Sequence, residues 1–131
     1  YRRKAKYLKE TAEILIAKFD GEVPKTMSEL TSLPGVARKT ANIVLWNAYG
    51  AIEGIAVDTH VQRLAQRLGL SENKNPNKIE RDLMALIPKD QWPELTNLLI
   101  SHGRRVCVAR KPKCTICIVN RLCRSAFSHD R

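Results

Sequence analysis

The sequence predicts an all-α fold. Apolar residues recur at helical spacing along most of it, Gly and Pro fall between those runs, and no segment alternates cleanly enough to make a strand. With 131 residues and 44% hydrophobic content the chain has a globular composition and can bury a core of moderate size. Leu8, Ala12, Leu15, Ile16 and Phe19 mark the core face of a first helix ending near Asp20-Gly21. Thr26-Met27-Ser28-Glu29 has the form of a capping box and opens a short helix. That helix must stop before Leu33-Pro34-Gly35, because a residue preceding Pro disfavours helical angles. After a turn at Pro34 to Ala37, Arg38 to Tyr49 reads as a central helix closed by Gly50. Its Ile43, Val44, Leu45 and Trp46 are too apolar to face water on most sides.

Asp58 or Thr59 caps the next helix, whose Val61, Leu64, Ala65 and Leu68 repeat at helical spacing until Gly69. Asn73 to Asn77 reads as a polar loop, and Ile79 to Ile87 and Gln91 to His102 as two more helices, the second closed at Gly103. Trp46, Met84 and Trp92 are most simply core residues. The expected organisation is a helical region, 1–103, followed by a Cys-rich segment, 104–131.

Lys and Arg number 23 against 13 Asp and Glu, a net charge of +10 spread through the chain rather than confined to a tail. Such a balance suits a polyanionic partner, although charge alone equally describes a solvated basic surface. No apolar run approaches the ~18 residues that a membrane helix needs. The basic start Tyr1-Arg2-Arg3-Lys4 leads into an amphipathic pattern rather than a signal core. The expectation is an intracellular monomer, in the cytoplasm or nucleoid if prokaryotic. The sequence starts without Met and inside a helical pattern, which leaves targeting open.

All four cysteines lie in the last quarter, as Cys107, Cys114, Cys117 and Cys123 in a C-x6-C-x2-C-x5-C pattern. Four soft thiolates this close make a metal site, and nothing else in the chain has the character of a secreted disulfide scaffold. Zinc ribbons usually pair two short C-x2-4-C knuckles, whereas only one C-x2-C is present here. On spacing alone, zinc and a [4Fe–4S] cluster both remain. From Arg104 to Arg124 the segment carries seven Lys or Arg and no acid. Some of that charge can balance the thiolates, while Arg110-Lys111-Pro112-Lys113, between the first two cysteines, is available to phosphates.

Arg38 and Lys39 stand where a helix N-terminus, with its partial positive charge, prefers Asp or Glu. A broken local rule of this kind tends to mark function. The dipole and the adjacent Arg38 both disfavour an ammonium at Lys39, which favours a nucleophilic amine; a phosphate-binding lysine is the plainer reading. Asp58, 19 residues further on, is explained by helix capping alone. His60 is most safely a structural histidine of the first turn.

Leu33-Pro34-Gly35-Val36-Ala37-Arg38-Lys39-Thr40-Ala41 resembles the helix-hairpin-helix motif hPGhGxxTA, in which h is apolar. Such a hairpin docks a phosphate on backbone N–H groups, which places Gly35, Ala37 and Arg38 at the DNA. Ala37 replaces the second glycine of the motif; if that position required a positive φ, the strain would be on the order of 1 kcal/mol. Taken with VDTH at Val57 to His60 and the four-cysteine segment, the chain resembles the endonuclease III family of DNA glycosylases. The resemblance implies a Schiff-base nucleophile at Lys39, a catalytic Asp58 and one [4Fe–4S] cluster on Cys107, Cys114, Cys117 and Cys123. It also implies an activity: excision of oxidised pyrimidines from double-stranded DNA and strand cleavage at abasic sites by β-elimination. Family members carry further helices before the point where this sequence starts, so the resemblance is to part of the family fold. A non-catalytic DNA-binding module with a structural metal site, and a uracil or thymine mismatch glycosylase, are the alternatives.

Overall fold

The computed structural model describes residues 1–128, which hold six α-helices and no strand. They belong to two compact units, Tyr1–Glu53 and Gly54–Arg131.

The first unit contains α1 (Arg2–Phe19), α2 (Met27–Ser32) and α3 (Arg38–Tyr49). Its core is Leu30 and Leu33 from the α2 region with Ala41 and Leu45 of α3, against which Ile14, Leu15 and Phe19 of α1 pack. The expected core stripe of α1 is therefore rotated. Leu15 and Phe19 face inward, but Leu8 and Ile16 are 73% and 72% exposed, and no residue of α1 is fully buried. The inward face runs instead through Tyr7, Thr11, Ile14 and Leu15, because that face meets the turn after α2. Asp20 ends α1 in the left-handed conformation at φ 52°, and its N–H bonds back to Leu15 O.

At the start of α2, Thr26 Oγ1 accepts from the Glu29 N–H at 3.2 Å, the expected cap, while Glu29 Oε2 returns to the Thr26 hydroxyl, accepting from it at 2.6 Å. Leu33 is extended before Pro34, which stops the helix. The turn then needs glycine for two reasons. Gly35 sits at φ +75°, and a Cβ there would lie 2.6 Å from Cδ2 of the Tyr7 ring on α1. Thr11 Oγ1 donates to Pro34 O at 3.3 Å and ties the same turn to the same helix. Ala37 is different: φ −94° and ψ 169° are extended, so the missing second glycine introduces no strain. Gly50 closes α3 as expected, but Ile43 and Trp46 are 39% and 40% exposed, and only Ala41, Asn42 and Leu45 are buried. One face of α3 meets α2, and apolar composition could not reveal which residues share it.

The second unit contains α4 (Thr59–Leu68), α5 (Pro76–Leu86) and α6 (Trp92–Arg105), with α4 packed on both of the others. Val61, Leu64, Ala65, Ile79, Leu83, Trp92 and Leu99 are buried, and the Trp92 Nε1–H donates to Ile87 O at 2.8 Å. Two boundaries differ from expectation. Helix α5 begins at Pro76, not Ile79, because Asn75 Oδ1 accepts from the N–H groups of Asn77 and Lys78 and Pro76 supplies a preset helical φ at the first position. Only 73–75 of the predicted loop remains loop. Its fold is held by Asp82, whose Oδ2 accepts from Ser71 Oγ and from Asn73 Nδ2. Those two bonds, the Ser71 one first, keep the Asp82 carboxyl below its ordinary value.

Helix α6 runs through Gly103 to Arg105 instead of closing there. Gly103 is buried, and a Cβ on it would approach Arg63 Nη2 and His60 Nδ1 at 3.1 Å and Leu64 Cδ1 at 3.2 Å. It is the point at which α6 crosses α4, not a terminator.

Gly35→Ala should cost about 2 kcal/mol or more, from the left-handed conformation and the Tyr7 ring together, whereas Ala37→Gly should change stability by only a few tenths. Urea denaturation of the two variants measures both; equal losses would mean that the turn is built around both positions.

Candidate functional site

Helix α3 starts at Arg38 with Ala37 as its N-cap, and no side chain caps it. Its first turn therefore presents backbone N–H groups, with Arg38 and Lys39 as the first two helical residues. Lys39 is exposed. Gly35, held against Tyr7, fixes the direction from which the chain enters this turn. These residues all lie in the first unit.

Asp58 caps α4 in the second unit. Its Oδ1 accepts from the N–H groups of His60 at 2.9 Å and Val61 at 2.8 Å, so Oδ2 takes no part in the cap. A carboxylate bound this way is half-buried and fixed in position by two backbone bonds. Arg63 Nη2 lies 3.1 Å from His60 Nδ1, and since a guanidinium can only donate, Nδ1 is the acceptor.

The four cysteines are brought together. Cys107, Cys114, Cys117 and Cys123 are free thiols, each half-buried, and all four line one cavity with Leu64, Leu68, Val106 and Pro112. Among the described residues no three His, Cys, Asp or Glu side chains gather closely enough to hold a single ion. An all-sulfur donor set with an apolar wall fits an iron–sulfur group. The backbone between the thiols is short turns: Cys107 N–H donates to His102 O, Lys113 N–H to Val106 O, and Cys114–Ile116 is one 3-10 turn. His102 Nε2 lies 3.5 Å from Cys117 Sγ, and burial pushes the His102 imidazole toward its neutral form.

Two residues at this site have no counterpart in the sequence reading. Arg63 donates from Nε to Cys107 O at 3.2 Å and from Nη2 to Gly103 O at 2.9 Å and Cys107 O at 3.1 Å. Arg67, one turn later on α4, donates from Nη1 to Cys107 Sγ at 3.3 Å and to Val108 O at 2.8 Å, and from Nη2 to Ala109 O at 2.9 Å. The cation that donates to this sulfur thus comes from α4. Their i, i+4 spacing was visible in the sequence, but paired arginines on a helix ordinarily face water. Arg110, Lys111 and Lys113 are exposed, with Lys111 in the left-handed conformation at φ 52°, and Arg124 pairs with Glu72 at 2.8 Å.

If the cap is the structural role of Asp58, Asp58→Ala should lose about 1 kcal/mol and Asp58→Asn almost nothing, since Asn caps as well as Asp. Thermal denaturation of the pair checks it, and an equally damaging Asn would show that the negative charge itself is structural.

Comparison with known proteins places this architecture. Residues 1–89 match the HhH-GPD superfamily of base excision DNA repair proteins, and residues 107–123 match the iron–sulfur binding domain of endonuclease III. The chain is 53% identical over 126 residues to endonuclease III of Synechocystis sp., covering 96% of this chain and 58% of that protein. It is 42% identical over 132 residues to endonuclease III of Bacillus subtilis, covering 100% of this chain and 60% of that protein. Among solved structures it matches a trapped endonuclease III–DNA covalent intermediate with a TM-score of 0.93 at 42% identity, covering 100% of this chain and 62% of the other. A thermostable thymine-DNA glycosylase matches at 28% identity with a TM-score of 0.83, covering 96% of this chain and 59% of the other. The chain thus spans about three-fifths of the length of these relatives. By sequence and by fold it belongs to the endonuclease III family of HhH-GPD base excision DNA repair proteins.

Proposed function

We propose that this chain is the hairpin and iron–sulfur part of a DNA glycosylase that is also an abasic-site lyase, acting on double-stranded DNA at oxidised pyrimidines and abasic sites. The observation that carries the reading is Lys39, an exposed primary amine in the first turn of α3 directly after the glycine turn. It is supported by the 42% identity, across the whole chain, to a protein solved as a trapped covalent DNA intermediate. An amine is suited to forming and later releasing a bond to a sugar carbon.

The target nucleotide is extruded from the stack, and the Lys39 amine attacks the sugar C1′ as the glycosidic bond breaks and the base leaves. Asp58, rigid in its cap, stabilises the cationic sugar that develops and assists proton transfer. The sugar ring then opens, the C1′–O4′ bond breaking and O4′ taking up a proton, to give an imine between Lys39 and C1′. The imine acidifies the C2′ proton, whose loss expels the 3′ phosphate and nicks the strand, and water then releases Lys39. Gly35, Ala37 and Arg38 at the hairpin and Arg110, Lys111 and Lys113 between the first two cysteines hold phosphates, without reading bases. We assign Cys107, Cys114, Cys117 and Cys123 to one [4Fe–4S] cluster, on the strength of their common apolar-walled cavity and the match of 107–123. When bound, the cluster cross-links this segment and so fixes the 110–113 turn. The protein acts as a monomer on DNA inside the cell.

Two measurements test this in the protein at its full natural length. Binding should weaken steeply with salt, and Lys111→Ala should reduce the log–log slope by about one unit; a salt-insensitive complex contradicts the phosphate assignment.

Lys39→Gln should abolish both nicking and the borohydride-trapped adduct while binding damaged DNA nearly as well. Asp58→Asn should fold normally yet release the base about 10²-fold more slowly. A non-catalytic binding module gives the reverse, normal turnover in Asp58→Asn and a pure binding defect in Lys39→Gln. A trapped adduct that survives Lys39→Gln sinks the mechanism.

A further inference from the structure

Arg67 touches the cysteine site in a way that packing alone does not require. Its Nη1–H donates to Cys107 Sγ at 3.3 Å while the same guanidinium is fixed by Val108 O at 2.8 Å and Ala109 O at 2.9 Å. Two carbonyls therefore hold a half-buried cation against one sulfur. The backbone oxygen of Arg67 is engaged as well: Ser125 Oγ donates to it at 2.9 Å, and Cys123 Sγ lies 3.5 Å from it. One residue of α4 thus meets the first and last cysteines of the segment. Arg63, one turn earlier, provides an internal contrast. It clamps the carbonyls of Gly103 and Cys107 but does not reach a sulfur.

We propose that Arg67 is a positioning residue that sets the reduction potential of the iron–sulfur cluster and slows its loss, through the hydrogen bond to Cys107 Sγ. The inference rests on the assignment of the four cysteines to that cluster. A cationic donor withdraws charge from the ligand thiolate. The reduced cluster carries one more negative charge than the oxidised one and gains more from that donor, so the potential rises. The same bond, on a guanidinium fixed by two carbonyls, holds the Cys107 side chain in one position, so that its departure from iron is slowed.

The test compares Arg67→Gln, Arg67→Lys and Arg63→Gln with the wild type, each loaded with cluster under anaerobic conditions. Midpoint potential is measured by voltammetry, and iron release is followed against a chelator. Arg67→Gln should shift the one-electron equilibrium several-fold toward the oxidised state; a tenfold shift corresponds to about 59 mV. It should also release iron several-fold faster. Arg67→Lys keeps a cation near the sulfur and should stay closer to wild type in potential. Arg63→Gln should lower thermal stability and leave the potential where it was. Cluster-loaded Arg67→Gln with the wild-type potential, or an equal shift in Arg63→Gln, would overturn the inference and leave the cluster assignment standing. Wild-type protein that takes up zinc but no iron and sulfide would overturn the assignment itself and the inference with it.

Discussion

Where α6 crosses α4, at Gly103, a side-chain carbon would crowd three side chains of α4, and the second unit is organised around that close contact. Side-chain atoms of Arg63, His60 and Leu64 of α4 lie 3.1 to 3.2 Å from where a Cβ of Gly103 would stand. At that distance the Arg63 guanidinium reaches the carbonyl oxygens of both Gly103 and Cys107. The cysteine segment leaves α6 immediately afterwards, so its first thiol is placed by the same contact that joins the helices. Arg67 extends the clamp to Val108 and Ala109. A bulkier residue at the crossing would push the helices apart and take the first cysteine away from the other three.

Helix α4 is also where the two ends of the unit's chemistry meet. Its first turn is capped by Asp58, whose Oδ1 takes both backbone bonds, and its last turn carries Arg67 beside Cys107. The helix is ten residues long, about 15 Å at the usual rise per residue. Its inward stripe, Val61, Leu64 and Ala65, is completely buried, which makes the element stiff. A carboxylate at one end and a sulfur-bound cation at the other are thereby held on one rigid support. Local mobility in either would be damped by the packing of the stripe.

The first unit solves a smaller problem by similar means. A turn between short helices has few contacts of its own, and α2 is only six residues long. The turn gains its order from α1, through the Tyr7 ring on Gly35 and the Thr11 hydroxyl on Pro34 O. Helix α1 spends its central face on this support and on the Leu30, Leu33, Ala41 and Leu45 cluster. Leu8 and Ile16 consequently remain in solvent.

Local chemistry was legible in the sequence wherever one residue and its immediate neighbours decide the outcome. The Thr26 cap, the stop at Leu33-Pro34, the Gly50 and Gly69 closures and the Asp58 cap each depend on a few consecutive residues. The hairpin, its lysine, the four cysteines and the all-helical class were visible for the same reason, being patterns of spacing. Orientation was not legible. A helical stripe such as Leu8, Ala12, Leu15, Ile16 and Phe19 is compatible with several rotations, and only the neighbouring turn selected the one seen. Gly103 reads as a helix stop in one dimension, because the property that makes glycine end helices, the lack of a Cβ, also lets two helices touch. Arg63 and Arg67 looked like solvent-facing charges for an equivalent reason, since their partners are carbonyls and a sulfur about 40 residues away. The sequence by itself determined which chemical groups this protein carries and where its helices start. Tertiary structure alone decided which groups share a site, because contacts between residues distant along the chain depend on how helices rotate and cross, and local propensity does not encode that.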